Sequence, residues 1–170
     1  MGYTHYFIFK ESALRPNKNG LARLDEKKFK RAVTRCKKAL EPYMNILAGT
    51  LGEGKPEFKS TFIGFNGIKP HDYESFYIDT ATVGYNFCKT GREAYSPAVA
   101  LALLIFKEEF GDDLEIRSDG TMYEDVGTYN DYLKREYTFD DIEDDWREAY
   151  KAYEEFTEKP YYGERITDKL

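Results

Sequence analysis

An α+β fold, with a mostly antiparallel sheet of about five strands and helices packed on it, is predicted by three observations. Aromatic and β-branched runs cluster with short connections between them, so neighbouring strands have no room for crossover helices. Two other stretches repeat apolar residues at helical spacing. A third is apolar on every side and opens on Ser96-Pro97, so it reads as a helix buried among the other elements.

The elements follow in the order β-α-β-β-β-α-β-α. Residues 3–10 (YTHYFIFK) are almost continuously apolar and read as a central strand. Pro16, Asn17, Asn19 and Gly20 mark a loop. A helix over 25–47 is predicted by Phe29, Val33, Cys36, Leu40, Met44 and Leu47, with Asp25 as N-cap and Pro42 as a kink or early end. Gly49, Gly52, Gly54 and Pro56 form a connector. Strands over 61–66, 73–79 and 84–89 then read as a meander. Ser96 as N-cap and Pro97 at the first helical position start the buried helix, and Gly111 stops it. Residues 114–117 form a short strand ending in the turn Ser118-Asp119-Gly120. The last helix spans 141–156, with a stripe of Ile142, Trp146, Ala149, Tyr150, Tyr153 and Phe156 and acids elsewhere. The tail after Pro160 is expected to be loose.

At 170 residues the chain fits one domain, with no repeat or second unit. Its 2 cysteines, Cys36 and Cys88, show no zinc spacing and cannot build a disulfide framework, so no metal is expected and a reducing cytoplasm is the expected compartment. The start lacks the basic and apolar regions of a signal peptide, and the longest apolar run, 98–106, is far short of a membrane span. The net charge of −6 argues against general affinity for nucleic-acid backbones. The basic face of 27–38 lacks interleaved aromatics and reads as solvated.

Lys89, Thr90 and Arg92 run from a strand end into the start of the buried helix, where free N–H groups and the helix dipole favour an anion. Tyr95 beside them could stack on a ring. His5 lies on an apolar strand and could read a ligand edge or act as a base. Asn66, Ser118 and Asp119 supply further polar edges at strand ends. The leading expectation is a non-catalytic protein that binds a phosphorylated or nucleotide-like small molecule through these residues and needs no cofactor. One alternative is an enzyme acting on such a ligand with His5 and Asp119 as acid and base. Another is a protein–protein inhibitor acting through the acidic helix 141–156.

The MGYTHY opening, Phe65-Asn66-Gly67, Phe87-Cys88-Lys89-Thr90 with Arg92 and Tyr95, and Ser118-Asp119-Gly120 resemble, in that order, a family of small uncharacterised phage and bacterial proteins. The resemblance covers about the first two-thirds of the chain and implies no particular activity. A phage origin would make sequestration of a host signalling nucleotide the natural role for a binding protein.

Overall fold

The computed structural model describes residues 2–161, so the expected loose tail lies largely outside the described residues. Its chain order begins with β1 (Thr4–Phe9), a hairpin of β2 (Leu14–Pro16) and β3 (Ala22–Leu24), and helix α1 (Glu26–Ala39). Then come β4 (Leu47–Ala48), β5 (Glu57–Phe58), β6 (Phe62–Gly67), β7 (Phe76–Asp79) and β8 (Gly84–Lys89). Helix α2 (Ser96–Phe110) and β9 (Leu114–Ser118) follow, then a small hairpin of β10 (Tyr129–Asn130) and β11 (Arg135–Glu136), and last helix α3 (Asp144–Thr157).

The fold is α+β with antiparallel pairing throughout. Its strands are divided between two main sheets instead of forming one. β1 is the centre of a three-stranded sheet in the order β8-β1-β9, and β6 is the hub of a four-stranded sheet with β4, β5 and β7. The predicted meander therefore breaks after its first pair. β7 pairs with β6, but β8 leaves that sheet and pairs with β1, Thr4 opposite Lys89 and Phe9 opposite Gly84. Burial explains the choice, because β1 alternates core-facing His5, Phe7 and Phe9 with half-buried Tyr6 and Ile8 and needs a neighbour on each side.

Asp25 caps α1 as expected, its carboxylate accepting from the Lys28 N–H at 3.0 Å. Pro42 ends the predicted helix early: the α-helix stops at Ala39, and residues Glu41–Ile46 tighten into a 3-10 turn. α2 is buried on all sides, with every residue from Ala98 to Phe106 at most 1% exposed. It packs against α1, α3 and β9, which is why no polar face was needed. Gly111 ends it at φ 56°, a left-handed value that glycine adopts freely. The α1 bases Arg31 and Arg35 pair with Glu108 and Glu109 at the end of α2. No helix among the described residues is long and apolar enough to cross a membrane.

Phe106 is the ring on which three elements meet, contacting Phe9 of β1, Phe29 of α1 and Phe110 at the end of its own helix. Phe106→Ala should lower unfolding free energy by about 3–5 kcal/mol, read by chemical denaturation. A loss below about 1 kcal/mol would mean that the three elements close without this ring.

Candidate functional site

The period-two geometry of β1 aims His5 at α2 and Tyr6 at the opposite face. His5 is fully buried and lies among hydroxyls and one carboxylate. Its Nδ1 is 2.9 Å from Ser118 Oγ, and its Nε2 is 3.0 Å from Ser96 Oγ and 3.1 Å from Asp145 Oδ2. Ser96 donates to the same Asp145 oxygen at 2.7 Å, and Thr90 donates to Ser96 at 2.9 Å. The other Asp145 oxygen accepts from Tyr3 OH and from the Trp146 N–H, each at 2.8 Å. Trp146 closes the group edge-on to His5, ring centroids 5.1 Å apart.

Nε2 faces an acceptor and so carries hydrogen; this tautomer is inferred from the partners. Ser118 Oγ already accepts from the Gly120 N–H at 3.0 Å, which leaves its own hydrogen free for Nδ1. Burial by itself would raise the Asp145 pKa. The hydrogen bond from His5, with those from Ser96 and Tyr3, outweighs burial and holds the carboxyl below its ordinary value. Burial and the adjoining Asp145 carboxylate push the Tyr3 phenol well above its own.

Three of the predicted site residues, His5, Thr90 and Ser118, thus meet in one network. The others do not join it. Asn66 is buried elsewhere, accepting from the Gly67 and Tyr73 N–H groups at 2.7 and 3.1 Å and donating to the Tyr73 carbonyl at 2.9 Å. It shapes the 67–73 loop. Lys89 lies across Gly2, whose added Cβ would stand 2.5 Å from Lys89 Cε. Tyr95 is fully buried and donates to the Glu74 carbonyl at 2.6 Å, so it cannot stack on a ligand. Asp119 sits on the far side of β1, accepting from Thr4 N–H at 3.0 Å and Tyr6 OH at 3.1 Å. It follows Ser118 by one residue and therefore faces the other way, so the His5–Asp119 pair is not formed.

Asp145 takes that place. It is only 10% exposed, which removes it from the acidic surface attributed to the last helix. Its position was readable: it stands three residues after Ile142 and four before Ala149, on the apolar stripe itself, where a carboxylate requires partners.

The expected anion site at the start of α2 is also filled from within. Ser96 is inside the helix instead of capping it, and its hydroxyl holds the Asp145 carboxylate there. Ser96 N–H bonds Glu93, Ala98 and Val99 N–H bond Tyr95, and Pro97 has none to offer. Arg92 is positioned by a left-handed backbone, φ 64°, with its guanidinium 4.1 Å over the Tyr3 ring and paired with Glu143.

Asp145, with the buried Ser96 beside it, lines the floor of a cleft of about 590 Å³ between the Glu41–Ile46 turn, residues 92–97 and the start of α3. Pro42, Tyr43, Ile46 and Pro97 give it an apolar wall. Five carboxylates line it (Glu93, Glu143, Asp144, Asp145 and Glu148) against the single guanidinium of Arg92. Among the described residues no cluster of His, Cys, Asp and Glu is arranged to hold a metal. Burial raises both thiols, Cys36 and Cys88, far above the range of a nucleophilic cysteine. Ser96 donates its hydroxyl hydrogen bond to Asp145, and His5 presents an N–H to the same carboxylate, so His5 Nε2 is not placed to take the Ser96 proton. Comparison with protein-family models, with curated proteins and with solved structures finds no match.

Removing the carboxylate should be the costliest single change in the network. Asp145→Ala leaves His5, Ser96 and Tyr3 facing one another without an acceptor, a loss of about 3–5 kcal/mol by denaturation at neutral pH. A folded-state pKa below the unfolded value means that Asp145 stabilises fully above about pH 4 and that this stability is lost as pH falls through the folded pKa. Glu108, held at about 2 against burial by Lys159, Tyr153 and Arg35, adds to the same slope. Stability measured from pH 7 to pH 3 should therefore fall less steeply in Asp145→Asn than in wild type. Parallel curves would show that Asp145 keeps its unfolded pKa.

Proposed function

We propose that this is a non-catalytic protein that binds a small molecule in the cleft beside the His5 network. The observation that carries the reading is the double role of Ser96 and Asp145. Both line the cleft, and both are held by a histidine of the central strand, so the polar floor is fixed before any ligand arrives. The cleft volume lies within the range of small-molecule sites.

The lining redirects the chemistry of the ligand. A phosphate would meet five carboxylates and one guanidinium already paired with Glu143. A cationic or donor-rich group, such as an amine, a guanidine or the amino edge of a nucleobase, meets acceptors instead. A flat ring has the Pro42–Tyr43 wall to lie against. The expectation of a nucleotide-like ligand is kept for its base and dropped for its phosphates. Sequestration of a signalling nucleotide by a phage protein is compatible with such a site where the base is the part recognised. An enzyme reading has less support, since among the described residues the Ser96 hydroxyl and the His5 N–H beside the cleft are both engaged with Asp145.

A thermal-shift and calorimetric panel of nucleosides, nucleotides, polyamines and guanidines tests this directly. Donor-rich or cationic compounds should bind, and Asp144→Asn with Glu148→Gln, both surface positions, should weaken them by about tenfold. Binding confined to phosphorylated compounds and unchanged in that double variant would refute the assignment.

A further inference from the structure

Strand β8 lies at the edge of its sheet, and the hydrogen bonds around it reveal which main-chain groups point outward. Thr90 N–H bonds the Tyr3 carbonyl, and an antiparallel ladder repeats every second residue. Gly84, Asn86 and Cys88 therefore bond to β1, opposite Phe9, Phe7 and His5. Tyr85, Phe87 and Lys89 turn their N–H and C=O groups away from it. Lys89 is already occupied: Glu74 N–H bonds its carbonyl at 3.0 Å and the Glu74 carboxylate accepts its N–H at 2.9 Å. Among the described residues no hydrogen bond reaches the outward groups of Tyr85 and Phe87.

The side chains of the same two residues are the most exposed large apolar ones of this sheet, Tyr85 at 61% and Phe87 at 55%. They lie on the face away from α2, beside half-buried Tyr6 and Ile8 of β1. An open edge and an exposed aromatic pair coincide at two residues. Neither a proline nor a bulge protects this edge.

We propose that β8 is a homodimer interface, pairing antiparallel with β8 of a second copy about a two-fold axis at Asn86. The register follows from the free groups alone. With Tyr85 opposite Phe87 of the second copy, and the reverse, two donors and two acceptors on each chain are satisfied, and the sheets join into one of six strands. The same register sets each exposed Tyr85 ring against a Phe87 ring, a favourable cross-strand pair. A second copy matches where another strand would not need to, because the set of free groups is its own complement under a two-fold rotation. Glu74 ends the pairing at Lys89, so the contact is small and the dimer reversible.

Sedimentation or light scattering over about 10 µM to about 1 mM should show monomer passing to dimer, the span in which a contact of this size titrates. Phe87→Glu, at an exposed position, should raise the midpoint at least tenfold with an unchanged circular dichroism spectrum. Cross-linking tests the register. Asn86 of the two copies would form a non-hydrogen-bonded pair with Cα atoms about 4.5 Å apart, within disulfide reach, whereas the two Tyr85 positions stand roughly 8 Å apart. Asn86→Cys should therefore give an oxidised dimer and Tyr85→Cys should not. A monomer at every concentration, a dimer indifferent to Phe87→Glu, or equal cross-linking by the two cysteine variants would each overturn the proposal.

Discussion

The Asp145 carboxylate is the point through which three separate elements are held at fixed distances. It accepts from Tyr3 and His5 at the start of β1, from Ser96 at the start of α2, and from the first turn of its own helix α3. An ionised group so deeply placed would be expelled or neutralised without those donors. With them, its two oxygens share four partners, and the ends of the strand and both helices cannot slide past one another without breaking several bonds. Everything around the cleft inherits this arrangement. Arg92 lies on the ring of Tyr3, Glu143 precedes α3 by one residue, and Thr90 is fixed through Ser96.

Polar satisfaction of this kind also limits what the site can do. A hydroxyl that donates to a carboxylate and an imidazole that points an N–H at the same oxygen are both engaged in holding that oxygen. The arrangement favours rigidity over proton transfer, and a rigid polar floor under an open cleft suits recognition. The charge around it comes from α3, Glu143 and the Arg92 segment, and on the proposed reading it would select among ligands.

Most of the secondary structure was legible in the sequence, because strong periodicity and caps are local. Asp25 before α1, Pro42 at its end and Gly111 after α2 acted where they stand. The short pairs β2–β3 and β10–β11 were missed, since two- and three-residue strands have no period to detect. The partner of β8 was illegible for another reason. Its choice between β7 and β1 depends on which strand must be covered on both sides, a property of the assembled core. The site was half legible. His5, Thr90 and Ser118 drew attention as polar residues on apolar elements, and they converge. Tyr95 and Asn66 drew the same attention and are wholly used by their own loops. Asp145 was read with its acidic neighbours, although its spacing from Ile142 and Ala149 set it apart.

The apolar circumference of α2 has a consequence for how the chain assembles. This helix has no side that water can accept, so it can persist only once α1, the sheet and α3 surround it. The last of these walls is contributed by residues beyond 143, and the strands that flank β1 lie 75 or more positions further along the chain, as with Phe9 and Gly84. Contacts between such distant segments form late and slowly. A nascent chain that has emerged through α2 but not α3 exposes its greasiest segment, and that interval is when holdase chaperones would find their target.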